Sequence, residues 1–254
     1  MPYLNDEAVV LNSLRSREKD KVTVLMTRNH GLVRAVARRA FSPTSRLGTA
    51  LEMLSTLKVQ LFRRSESQEL FTLCQAVLIE RSPLLEADYE TLSCGSFLAE
   101  VISVVATAEH DESELFRILA QAQVALAQGV ERQLLAVAFF ASVTAIAGIA
   151  PQVGACCRCA REISEECGEW FFLPVSGNFC CAACVLAGES AMRLSAETLR
   201  WLEHALQAPF QDCLRYPHHS GCLLESAKVL SEQVQSHLGV KFRTLPYIVE
   251  MHNS

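Results

Sequence analysis

The apolar pattern of this 254-residue chain changes period near residue 82, and that switch limits the architecture more than any other feature. Before it, Ala8 to Leu14, Lys21 to Thr27, Gly31 to Ala37, Leu57 to Phe62 and Glu69 to Ile79 are aliphatic or β-branched runs of strand length. Each is bounded by polar residues or glycine. Five strands in so short a stretch predict a small barrel. Between the third and fourth lies a basic, Pro- and Ser-containing loop, Arg38 to Arg46, followed by Leu47 to Leu54, which suits a short helix. Five strands with an inserted element at that place predict an OB-fold, a common carrier of single-stranded nucleic acid.

After Pro83 the spacing becomes helical. Leu92, Leu98, Val101, Ile102 and Val105 mark one helix within 84 to 108, and Leu115, Ile118, Leu119 and Ala122 mark a second over 113 to 128. Val130 to Ala147 is apolar on every face and is expected at the centre of the core. Residues 195 to 207, opened by Ser195 as a cap, and 221 to 238 supply two more helices. The expected fold class is α+β: an OB-fold barrel over 1 to 82, then an all-α domain over 83 to 254 with a zinc-binding insertion at about 152 to 190.

Charge is distributed unevenly. The net value is −5, but residues 1 to 80 carry 12 Lys and Arg against 8 Asp and Glu, whereas the remainder carries 11 against 20. A basic barrel on an acidic body suits a polyanion that touches the first part only. The start of the chain lacks the basic and apolar runs of a secretory leader. The uncharged stretch from Leu134 to Ala150, 17 residues rich in Ala and carrying Ser142 and Thr144, falls short of a comfortable membrane span. A cytoplasmic protein is expected, in which eleven cysteines serve as ligands or core residues rather than disulfides.

Two CxxC knuckles, Cys156/Cys159 and Cys181/Cys184, are separated by 21 residues, close to the usual spacing of a four-cysteine zinc site. Two residues between paired thiolates let one tight turn aim both sulfurs at a single ion. The intervening Trp170 to Leu173, then Pro174 and Ser176-Gly177-Asn178, reads as strand, turn and strand. Four sulfurs fill a tetrahedral shell, so Zn2+ here is structural rather than catalytic. Cys157, Cys167 and Cys180 are alternative ligands, while Cys74, Cys94, Cys213 and Cys222 read as small core residues. A zinc-deaminase reading of His110-Asp111-Glu112 fails, because Cys180 replaces the required proline and about 70 residues separate the two halves. His218 and His219 read as a surface pair.

Glu18-Lys19-Asp20-Lys21, Val24-Leu25-Met26-Thr27, His30-Gly31-Leu32-Val33 and Ala35-Val36-Ala37-Arg38, with Ser45-Arg46 beyond them, resemble the run that marks the bacterial RecO family of recombination mediators. Gly148-Ile149-Ala150-Pro151, just ahead of the first knuckle, resembles a second element of that family. The resemblance implies a non-enzymatic repair protein that binds single- and double-stranded DNA and anneals complementary strands. It also implies work with RecR, engagement of the acidic tail of single-strand binding protein (SSB), and help in loading RecA. The phosphate-binding candidates are Arg15, Arg17, Lys19, Lys21, Arg34, Arg38, Arg39 and Arg46, with Phe41 the one aromatic in the loop. Where relatives place an Arg-Arg-Phe-Glu run, this chain has Val137-Ala138-Phe139-Phe140, so Arg132 is the candidate for the SSB contact. The competing class is a zinc-stabilised protein-interaction scaffold without DNA function of its own.

Overall fold

A computed structural model describes residues 3–16, 19–40, 46–65, 68–85, 87–107, 112–163 and 169–251. Two compact units divide the chain, residues 1–129 and 130–254. In the first, β1 (Leu4–Ser16), β2 (Asp20–Thr27), β3 (Gly31–Ala37), β4 (Thr56–Phe62) and β5 (Leu70–Glu80) close into a barrel of order β1-β2-β3-β5-β4. All its pairings are antiparallel except β3 with β5. That closure, with helix α1 (Arg46–Ala50) inserted between β3 and β4, is the expected OB-fold arrangement.

Alternation explains what fills the barrel. Ala8, Val10, Leu25, Val33, Ala35, Ala37, Leu57, Val59, Leu61, Phe71 and Leu73 point inward and are buried. A bulge between Val10 and Asn12 resets the register of β1 against β2. Val9 and Met26 face outward yet are fully buried, because α2 (Tyr89–Val105) and α3 (Ser113–Ala127) pack on β1 and β2. These two helices belong to the barrel's unit, and the switch of period at residue 82 marks a change of element type within it. Asp88 caps α2 by accepting from the N–H of Thr91 at 2.8 Å, which is why this helix begins at Tyr89 and not at the expected Leu84.

In the second unit α4 (Arg132–Ile146) is buried from Gln133 through Thr144, as its apolar character on all faces requires. The segment around the two CxxC knuckles forms a three-stranded sheet of order β7-β6-β8 from β6 (Trp170–Leu173), β7 (Asn178–Cys181) and β8 (Met192–Leu194). The β6–β7 hairpin matches expectation; β8, with three residues, is too short to leave a period. Helices α5 (Ala196–Gln207), α6 (Phe210–Cys213), α7 (Ser220–Leu238) and α8 (Leu245–Glu250) pack around α4. Ser195 caps α5 as expected, its hydroxyl accepting from Thr198 N–H at 3.2 Å. His219 caps α7 through Nδ1, which accepts from the N–H of Cys222 at 3.2 Å. Among the described residues no helix is long and apolar enough to cross a membrane.

Candidate metal centre and nucleic-acid interface

The sulfurs of Cys156, Cys159, Cys181 and Cys184 all lie within 4.8 Å of one another. In a tetrahedral shell with Zn–S bonds of about 2.3 Å the sulfurs stand about 3.8 Å apart, and the Cys159–Cys181 pair is at 3.8 Å. Four thiols and no carboxylate or imidazole make a soft donor set suited to zinc. Local backbone aims them. Ala160, in the left-handed region at φ 55°, turns the first knuckle, and its N–H returns to the Cys156 carbonyl at 2.9 Å. The second knuckle closes with Cys184 N–H on the Cys181 carbonyl at 2.9 Å. The hairpin register sets Cys181 opposite Trp170, anchoring that knuckle to the buried end of β6.

The thiols of the cluster are shifted in opposite directions. Burial pushes the Cys156 thiol up, but the N–H groups of Cys181, Cys159 and Arg158 outweigh it and bring it down to about 5. Burial raises Cys181, and the hydrogen bond with the Cys181 thiol pushes Cys184 up to about 12. Arg158 spans the site, donating to the Cys184 carbonyl and to Glu189 Oε1 at 2.6 Å. Cys180 is buried beside Cys156 and Cys181, its sulfur 3.8 Å from that of Cys156, and stands outside the four-sulfur group, of which Cys159 is exposed. Cys157 is exposed, and Cys167 lies outside the described residues. Cys94, Cys213 and Cys222 are buried as expected, but Cys74 is exposed: β5 turns it away from the barrel core.

The barrel register gathers basic residues at one end. Arg15 is opposite Lys21, and Lys21 is opposite Ala37, which places the β1–β2 turn beside the end of β3. Arg15, Lys19, Arg38 and Arg39 therefore cluster there, all exposed. Arg34 lies four residues back on the outer face of β3, roughly 13 Å along the strand. The side chains of Lys19, Arg34, Arg38 and Arg39 form no ion pair with any described residue. Arg39 takes a left-handed backbone, φ 55°, and its N–H donates to Asp20 Oδ1 at 2.8 Å, fixing the direction in which the chain leaves β3.

Lys21 is placed otherwise. Alternation turns it inward; its side chain is 13% exposed, Nζ donates to the Gly48 carbonyl at 3.1 Å and lies 3.9 Å from Glu52. It braces the connection between β3 and β4. The Gly48 backbone comes so near the Ala40 carbonyl oxygen that a Cβ there would sit 2.4 Å from it, so this contact requires glycine. Arg17 and Phe41 lie outside the described residues, as does the side chain of Arg46. In the second unit Arg132 is half-buried and donates to the Val130 carbonyl at 2.6 Å.

Asp6 was missed by sequence reasoning. Its side chain, 1% exposed, accepts from Asn29 N–H at 2.9 Å, from the Asn29 amide at 2.8 Å, and is 2.9 Å from His30 Nδ1. It organises the β2–β3 turn ahead of the basic strand. An isolated Asp in a strand gives no signal, because its partners are 23 and 24 residues away.

An OB barrel with an exposed basic end, joined to a helical unit holding a four-thiol cluster, defines a class of barrel-and-knuckle proteins. Two family models match this chain: Recombination protein O N terminal over residues 1–81 and Recombination protein O C terminal over residues 86–246. It is similar to the DNA repair protein RecO of Nocardioides sp., 29% identical over 96% of this chain and 98% of that protein. It is also similar to those of Caldanaerobacter subterraneus (24%, 99% of each) and Symbiobacterium thermophilum (28%, 81% of each). The chain belongs to the Recombination protein O family, whose members these are named as DNA repair proteins.

Proposed function

We propose that this protein is a non-enzymatic DNA repair and recombination mediator. It holds single- and double-stranded DNA by the phosphates and anneals complementary strands. With RecR it helps to load RecA onto DNA coated by single-strand binding protein. The observation that carries this reading is the exposed group of Lys19, Arg34, Arg38 and Arg39, uncompensated among the described residues, on an OB barrel. Arg15 adds a fifth exposed cation to the same end. Such a surface grips a polyanion without choosing sequence. Neutralising the charge of two strands lowers their mutual repulsion, which is what annealing needs.

Zn2+ would be held by Cys156, Cys159, Cys181 and Cys184 and supplies cross-linking of the insertion, with no coordination position left for water or substrate. RecR and the acidic tail of single-strand binding protein are the proposed protein partners, with Arg132 the candidate contact for the tail, and the cytoplasm, at the nucleoid, is the proposed location. The test is annealing of complementary oligonucleotides by the full chain with and without Arg38→Glu and Arg39→Glu. We expect annealing without nucleotide hydrolysis in the parent and at least a tenfold slower rate in the double variant. Annealing unchanged by both reversals overturns the assignment.

A further inference from the structure

On the outer face of β1, β4 and β5 a second stripe of side chains runs down the barrel, its Phe62 end reaching, through Thr72 of β5, the row of Val36 between Arg34 and Arg38. The register sets it out in rows. Glu7, Lys58 and Val77 stand side by side, and two residues along Asn5, Gln60 and Gln75 do the same. Two further on, Tyr3 immediately precedes β1 and Phe62 ends β4, with ring centroids 5.4 Å apart. Rows of this kind repeat about every 7 Å along the strands, a step an extended polynucleotide can follow. The first two rows line a shallow groove.

The charges in it are accounted for except one. Glu7 is bridged to Arg28, whose guanidinium lies over the Phe116 ring, 5.1 Å from its centroid. Asp6 is consumed by the β2–β3 turn. Lys58 is exposed and forms no ion pair with any described residue. Gln60 Nε2 donates to Asn5 Oδ1 at 3.1 Å, which keeps these amides upright beside Gln75. Val77 is 61% and Tyr3 56% exposed, so an apolar surface and an aromatic face are open to solvent at the two ends.

A lone cation, a row of amides and an open aromatic ring are complementary to phosphate, base edges and base faces respectively. The geometry points to this stripe as a second track for a single nucleic-acid strand, beside the Arg34–Arg38 cluster across β5. The inference rests on the mediator reading and deepens it, since two tracks on one barrel can hold two strands at once. Amides that both donate and accept suit any base, as annealing of arbitrary sequences demands.

The test is binding stoichiometry of the full chain at low salt with a short fluorescein-labelled oligothymidylate, which cannot pair with itself. The parent is expected to bind two strands per chain. Lys58→Glu with Tyr3→Ala, both exposed positions, and separately Lys58→Ala with Gln75→Ala, should each bind one, as should Arg34→Glu with Arg38→Glu. Thermal melting confirms that each variant is folded. A 5-iodouracil oligonucleotide should cross-link to Tyr3 in the parent. No binding by the parent overturns the mediator reading itself. One strand bound, unaltered by both stripe variants, overturns the second track alone.

Discussion

The Lys21 ammonium donates to the carbonyl oxygen of Gly48, 27 residues away, at 3.1 Å, and this ties β2 to the segment that follows the basic loop. A charged hydrogen bond of that kind contributes about 1.5–3 kcal/mol. Lys21→Met should lower stability by about that amount, measured by urea unfolding. The salt dependence of oligothymidylate binding should stay as in the parent. Arg34→Ala should do the reverse, leaving stability within about 0.5 kcal/mol and reducing the slope of log affinity against log salt by about 0.7. A reduced slope for Lys21→Met would return that residue to the phosphate-binding set.

Metal uptake should release protons. Cys181 and Cys184 are raised in the metal-free protein, so both carry protons at neutral pH and lose them on coordination. Affinity for zinc therefore falls as pH falls. Calorimetry in buffers of different ionisation enthalpy should give a release of about two or more protons per ion at pH 7. A proton-neutral binding event contradicts the ligand assignment. Cys181→Ser should abolish stoichiometric zinc and disorder the environment of Trp170, its partner across the β6–β7 pair, seen as a red shift of tryptophan emission.

Gly177, in the turn between β6 and β7, has φ 67°, and a Cβ placed on it would lie 2.4 Å from Gln233 Oε1 of α7. Gly177→Ala meets both penalties and should cost about 1–3 kcal/mol. Adding Gln233→Ala removes the steric contact and leaves the backbone penalty, so a double-mutant cycle should show a favourable coupling. Strict additivity would place the hairpin turn away from α7.

Gln123 on α3 donates to the Leu54 carbonyl at 2.8 Å and lies 3.3 Å from Thr56 Oγ1, across 69 and 67 residues of chain. Leu54 is fully buried with φ 61°, and its N–H donates to the Val10 carbonyl at 2.7 Å. Gln123→Ala leaves a buried carbonyl unpaired and should cost about 1–3 kcal/mol. Barrel and helices of the first unit should still melt in one transition. A change below about 0.3 kcal/mol would show that α3 is held by apolar packing alone.

All five barrel strands, the central helix α4 and the β6–β7 hairpin were legible because alternation, unbroken apolarity and turn residues are local signals. So was the gathering of four cysteines, since the CxxC knuckle is a local device. The inward aim of Lys21 was not legible, because it depends on the register of three strands. Nor was the role of Asp6, whose partners come from a distant turn. The exposure of Cys74 and the stripe from Lys58 to Tyr3 escaped for the same reason: only the closed barrel says which residues of β1, β4 and β5 share a row.

By itself, then, the sequence determined the kinds of element, their order, the family pattern and the four-cysteine cluster, all written in spacings of a few residues. Tertiary structure decided which cations face solvent and which brace the loop, and which side chains line up across strands. Cross-strand neighbours are set by register and closure, which follow from the packing of the whole core.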